Sequence, residues 1–199
     1  IMYVDEDEDP LVIELYAYQF DWRARYAGKD NTLGKANVRL IEGINQLGVD
    51  TSDPNAQDDK VVNELHLPLG RKVLFKMRSQ DVLHSAYMPH FRAQMNCVPG
   101  MITQFAFTPS MTTDDMRLND EVIEKVEYIN QIRTEKNIQL LAKGEEVLEM
   151  YEFDYLLLCN KICGSNHFNM QMKIIVDTEE DYNTWLAEQA TIAETIKNK

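Results

Sequence analysis

Apolar positions along the chain fall into two rhythms. The first is alternation, the period of a strand with one face inward. Residues 12–20 are rich in apolar and aromatic side chains, with Val12, Glu14, Tyr16, Tyr18 and Phe20 on one parity, and read as a strand. Segments 64–67 and 72–77 read as two more strands, parted by the turn signal Pro68-Leu69-Gly70. Residues 81–88 follow as strand or loop. The run Val98-Pro99-Gly100-Met101 fits a type II turn, with Pro second and Gly third, before a strand at 104–108. Tyr151, Phe153 and Tyr155 alternate with acids, and Met172, Ile174 and Val176 alternate with their neighbours, giving two late strands. Residues 28–60 are rich in Gly and Asp and read as loops, with a short strand near 38–41. Several short strands between turn signals predict a β-sandwich or barrel.

The second rhythm is helical. Residues 110–148 are charged and poor in Gly and Pro, with Val122, Ile123, Val126 and Ile129 at helical spacing and a stop at Gly144. A helix or helical pair is expected between about 115 and 143. Thr178 followed by Asp181 resembles a capping box, so a terminal helix is expected over about 179–197. Its apolar face would include Tyr182, Trp185, Leu186 and Ala190.

Composition narrows the function. The chain has 199 residues, enough for one domain, or for one domain with an insert. Its formal charge of −13 argues against a nucleic-acid partner, which needs cations to replace counterions on phosphate. It suits a cationic partner or simple solubility. No run of 18 apolar residues is present, and no signal peptide is visible. The first residue is Ile rather than Met, from which an upstream segment is expected.

Candidate chemistry is concentrated in one stretch. Between Cys159 and Met170 lie two thiols, the imidazole of His167 and the thioether of Met170. Sulfur ligands favour copper(I), zinc or iron–sulfur, and imidazole suits copper and zinc. On an extended strand Cys159 and Cys163 would stand about 13 Å apart, too far to share an ion. The segment must therefore curl. A helical turn would put Cys159, Cys163 and His167 on one stripe, whereas Gly164 and Ser165-Asn166 favour a loop. A single blue copper takes one Cys, two His and a weak Met. Two thiolates could instead bridge two coppers, each with one His, and His66, His84 and His90 are the candidates for the second imidazole. Zinc remains a third option. Cys97 reads as a small buried hydrophobe, and His66 and His90 as packing residues.

Three motifs in order, Asp81-Val82-Leu83-His84-Ser85, Val98-Pro99-Gly100 and Cys-x3-Cys-Gly-x-x-His-x-x-Met, resemble subunit II of cytochrome c oxidase. The resemblance covers about 11–110 and 150–187. It implies a mostly β, cupredoxin-like Greek-key sandwich with an inserted helical segment near 110–148 and a C-terminal helix. Residues 1–10 would be a linker after absent membrane helices, 11–187 the copper-A domain, and 188–199 the helix end and tail. The resemblance implies that His84 and His167 are imidazole ligands and that Cys159 and Cys163 are bridging thiolates. Met170 and the backbone carbonyl of Lys161 would be weak ligands to two copper ions. Where the family carries a Glu that helps hold magnesium, this chain has Lys161, a cation that cannot ligate it. Of the family's two Trp in the early aromatic segment, only Trp22 remains, and Phe20 stands at the usual electron-entry position.

The function so implied is electron entry to a haem-copper terminal oxidase. A c-type cytochrome, free or tethered, would be the donor, and haem a in subunit I the acceptor. The setting would be the periplasmic face of the bacterial inner membrane. Phe20, Trp22 and Asp81 are the candidate entry and docking residues. The domain alone would transfer electrons as part of the enzyme. Alternatives are the copper-A domain of nitrous oxide reductase, a single-copper cupredoxin carrier, and an assembly protein with a zinc site.

Overall fold

The alternating segments build two five-stranded sheets packed face to face. The computed structural model describes residues 9–197. Most of the linker expected at 1–10, and the last two residues of the expected tail, lie outside that range. The first sheet contains β1 (Leu11–Tyr18), β2 (Asp21–Tyr26), β3 (Lys60–Val62), β5 (Val73–Ser79) and β8 (Thr103–Phe107), in the order β3-β2-β1-β5-β8. The second contains β4 (Leu65–Pro68), β6 (His84–Met88), β7 (Ala93–Cys97), β9 (Tyr155–Cys159) and β10 (Gln171–Asp177), in the order β4-β10-β9-β6-β7. Parallel pairs β1–β5 and β4–β10 sit within otherwise antiparallel sheets. The chain thus crosses between sheets repeatedly, as a Greek-key sandwich requires.

Period-2 patterning carries the core. In β5, Val73, Phe75, Met77 and Ser79 are buried while the residues between them are half-exposed. Met172, Ile174 and Val176 of β10 and Tyr155, Leu157 and Cys159 of the neighbouring β9 line the same interior face of the second sheet. Strand β1 is buried on both faces because the 27–58 segment folds over its outer side. There Tyr16 packs with Leu47, Val49, Ala56 and Ile192.

Among the described residues the sheets are accompanied by four α-helices: α1 (Thr113–Arg117), α2 (Asp120–Lys143), α3 (Glu179–Glu188) and α4 (Ile192–Lys197). The expected inserted helix is α1 plus α2, and Gly144 ends it in the left-handed region at φ 71°. No helix among the described residues is long and apolar enough to cross a membrane.

Three expectations need correction. The segment at 38–41 is a 3-10 turn over Val38–Leu40, because the Asn37 side chain accepts from the Arg39 N–H and caps it. The late strand starts only at Tyr155, since residues 151–154 are engaged by Asn130 and Arg117 of the insert. The terminal helix is two helices. The Glu194 N–H donates to Thr191 Oγ and the Thr191 N–H to the Glu194 carboxylate, a capping box that starts α4 afresh. Ala190 falls in the break and is exposed.

Candidate metal centre

Strand register brings His84 to the sulfur-rich loop. Ala86 of β6 pairs with Cys159 of β9, so His84, two residues earlier on the same face, stands beside the Cys159 side chain. Beyond Cys159 the chain leaves the sheet as a loop and returns as β10, with the Cys159 N–H donating to the Met170 carbonyl at 3.1 Å. The loop reading of 160–170 therefore holds over the helical one. Gly164 lies at φ 139°, and a Cβ there would come within 2.8 Å of the Phe20 ring. The Gln19 amide donates to the Cys163 carbonyl at 2.5 Å, which ties the loop to the β1–β2 turn.

The donor atoms converge. Cys159 Sγ is 3.9 Å from Cys163 Sγ, 3.8 Å from His84 Nδ1 and 3.2 Å from the Lys161 carbonyl oxygen. Cys163 Sγ is 3.6 Å from His167 Nδ1 and 3.8 Å from Met170 Sδ. Each sulfur thus has one imidazole and one weaker donor of its own. His84, Cys159 and Cys163 are all buried, and their ligating atoms lie within 4.8 Å of one another. The sulfurs are too far apart for a disulfide, which needs about 2.05 Å. They are close enough for both to lie about 2.3 Å from a shared ion. The donor set fits thiophilic, imidazole-accepting metal.

Electrostatics favours thiolate at one of the two sulfurs before any metal arrives. Burial pushes the Cys159 thiol up, but hydrogen bonds from His84, the Ser85 backbone and other loop groups outweigh it and bring it down to about 6. Burial and repulsion from Cys159 push Cys163 up to about 11. Burial pulls His84 down, but Cys159 and Asp81 together raise it.

The remaining candidates are distributed differently. Asp81 is not a free surface acid. Its carboxylate accepts from His84 Nε2 at 2.8 Å and from the backbone N–H groups of Gln19 and Val82 at 2.7 Å. Trp22 is fully buried and meets His84 edge-on, with ring centroids 6.3 Å apart, so it offers no face to an incoming partner. Phe20 is half-buried against the Gly164 loop. His66 stacks on Trp185 at 3.9 Å and bonds Asp177, while His90 meets Phe153 and Tyr155 edge-on, and neither joins the cluster. Cys97 is buried opposite His84 across β6–β7, and burial pushes its thiol up to about 12. Sequence reasoning missed Gln19 as a loop support and Asp81 as a partner of His84. The Asp81-x-x-His84 spacing was the available signal for the second.

Residues 11–116, just over half of the chain, match the family described as cytochrome C oxidase subunit II, periplasmic domain. The chain belongs to this family. Among curated relatives, the alternative cytochrome c oxidase subunit 2 of Bradyrhizobium diazoefficiens is 36% identical over 193 residues, covering 96% of this chain and 55% of that protein. Cytochrome c oxidase subunit 2 of Thermostichus vulcanus is 26% identical over 134 residues, covering 67% and 28%. The chain thus spans about half the length of the first relative, and less of the second. The periplasmic domain of subunit II of cytochrome oxidase (CoxB) of Bradyrhizobium japonicum superposes with a TM-score of 0.51 at 17% identity, covering 90% of this chain and 93% of that one. That likeness supports the cupredoxin-like sandwich. A mixed disulfide intermediate between a thioredoxin-like protein and a subunit II domain aligns at 14% identity with a TM-score of 0.50, covering 92% and 94%.

Proposed function

We propose that this chain is the electron-entry domain of a haem-copper oxidase and holds a binuclear copper centre. Cys159 and Cys163 would supply bridging thiolates, His84 and His167 the terminal imidazoles, and Met170 and the Lys161 carbonyl the weak donors. The paired arrangement of donors, one imidazole and one weak donor per sulfur, carries this reading. It favours a copper pair over a single blue copper, which has no use for the second thiol. Family membership favours the oxidase over nitrous oxide reductase. When bound, the copper pair would supply a one-electron redox site between a c-type cytochrome and haem a of subunit I.

The chain's own residues hold that site still. Asp81 accepts from His84 Nε2, which leaves Nδ1 free to face Cys159. The Gln19 bond and the Phe20 ring brace the sulfur loop from the opposite sheet. Ligands fixed in advance need little rearrangement when charge changes, the logic of preorganised electrostatics. Ile162 and Phe168 project from the loop, 87% and 86% exposed, and with Leu83 form an apolar rim suited to contact with subunit I or the donor. The Lys161 side chain is exposed and cationic, so magnesium is left out of this assignment. The domain 11–187, membrane anchoring by preceding helices and a place at the periplasmic face of the inner membrane belong to the same proposal.

Copper counting and electron paramagnetic resonance test it. Two coppers per chain and a hyperfine pattern from one electron shared by two nuclei are expected. Cys163→Ser should abolish that pattern. One copper per chain, or a shared-electron signal surviving the substitution, would overturn the ligand assignment.

A further inference from the structure

A cleft lies at the far end of the sandwich from the sulfur loop. It has a volume of about 780 Å³, within the ordinary range for small-molecule sites. Its walls come from the turn before β5, the turn after β6, the end of β8, the root of the insert and the start of β9. Strand β9 enters at Tyr155 on the cleft and reaches Cys159 four residues on, about 13 Å away. The cleft is therefore separate from the metal centre, and the inference below does not depend on the proposed function.

Its lining inverts the charge of the molecule. The chain carries a net −13, yet the described residues that line the cleft include Lys72 and Arg92 and no carboxylate. Among the described residues, the guanidinium of Arg92, the ring nitrogens of His90 and the hydroxyls of Thr108 and Ser110 have no hydrogen-bond or ion-pair partner. Arg92 also stands at φ 51°, a backbone conformation that costs a non-glycine residue and that clusters at binding sites. The floor is apolar and aromatic. Phe91 stacks on Phe107 at 4.7 Å and meets Tyr155 at 4.9 Å. Met111 and Met116, both from the root of the insert, bring adaptable thioethers to one wall.

We propose that this cleft binds a small organic phosphate with a planar ring, of the nucleoside monophosphate class. The phosphate would meet Arg92 and the Thr108 and Ser110 hydroxyls, since guanidinium and hydroxyl donors match phosphate oxygens. The ring would lie on Phe91, Phe107 and the methionines. Lys125 of α2 lies close enough for its charge, after burial, to help push the His90 imidazole down and keep it neutral, so the insert adds a further cation to the field around the cleft. This gives the root of the insert a role in binding.

Calorimetric titration of the chain with adenosine monophosphate, flavin mononucleotide, adenosine and inorganic phosphate tests the inference. Saturable binding of at least one nucleotide is expected, with adenosine and inorganic phosphate each at least tenfold weaker. Arg92→Glu should weaken nucleotide binding tenfold or more while the copper spectrum stays unchanged. Ser110→Ala, a gentler change at an exposed position, should weaken it by a smaller factor. Nuclear magnetic resonance shifts should cluster at residues 89–92 and 107–111. Absence of saturable nucleotide binding below about 1 mM, the weak end of specific recognition, would overturn the proposal. So would equal affinity for inorganic phosphate, indifference to Arg92→Glu, or shifts centred on 160–170.

Discussion

At the scale of single residues, the centre depends on a short relay from Asp81 through His84 to Cys159. His84 is fully buried, and its two nitrogens have fixed tasks: Nε2 donates to Asp81 and Nδ1 faces the sulfur. Asp81 is itself held by the turn, where the Ser79 hydroxyl donates to the Val82 carbonyl and the Val82 N–H returns to the Asp81 carboxylate. A carboxylate behind a ligating histidine sets its tautomer and raises its basicity, and losing one typically costs ten- to a hundredfold in metal affinity. Asp81→Asn keeps the volume and removes the charge. Copper affinity should fall by roughly tenfold or more in competition with a chelator. Unchanged affinity would show that Asp81 does not orient His84. The sequence made Asp81 look like a docking charge because it is an acid beside the ligand-bearing segment of a strongly acidic chain. Only the fold reveals that the turn points the carboxylate inward.

At the scale of elements, the insert is built differently from the sandwich. Helix α2 buries no residue completely, although Val122 and Val126 lean on the core. Its other support is the chain that returns beside it. Asn130 donates to the Tyr151 carbonyl and accepts from its N–H, and Asn137 does the same with Leu148. Two side-chain amides thus replace the strand partner that residues 148–151 lack, while Arg117 fixes the root through the Phe153 carbonyl and Asp154. Each such bond contributes about 1 kcal/mol. The double substitution Asn130→Ala with Asn137→Ala should speed amide exchange at Leu148 and Tyr151 by about tenfold or more. Helix content and the copper spectrum should not change. Protection that persists at those two amides would refute the ladder.

The same contrast explains what was legible beforehand. Strand β10 has one buried parity and was visible as alternation, whereas β1, β5 and β8 were legible as apolar runs between turn signals, β1 being buried on both faces. Strand β2 alternates too, with Trp22, Ala24 and Tyr26 in the core, and its Arg25 lies on the other face, buried against the covering segment as the partner of Glu14 and Asp59. Edge strands β3 and β7 are too short or too exposed for the pattern to register. In the candidate centre the donor types were legible from spacing and from family resemblance. Their convergence was not, since it follows from the Ala86–Cys159 register, a contact across 73 positions.

At the scale of the whole molecule, one buried charge network joins parts of the chain that strand pairing does not. Arg25 Nε lies 2.7 Å from Glu14 and its Nη1 lies 3.1 Å from Asp59, and Arg78 also pairs with Glu14. The Asp59 carboxylate accepts the Gly34 N–H at 3.1 Å, and its backbone carbonyl accepts the Ile192 N–H at 2.8 Å. Strands β1, β2 and β5, the covering segment and α4 therefore meet around one carboxyl group. Burial pushes that group up to about 6, and the pull of Arg25 and of the Gly34 N–H offsets only part of the rise. Because the folded value exceeds the unfolded value of 3.8, the folded chain holds the extra proton between the two. The stability linked to Asp59 is then fully present below about pH 4 and is lost as pH rises through about 6. Surface carboxylates that pair with cations give the opposite slope, so the measurement must be a difference. Asp59→Asn removes the titration and keeps the shape. In urea unfolding, the parent should lose about 2–3 kcal/mol relative to this variant between pH 4 and pH 7. A parent–variant difference that stays flat across that window would mean that Arg25 compensates the buried charge in full. The network would then be indifferent to pH across that window, and the ion pair would hold the covering segment and α4 equally well at both ends of it.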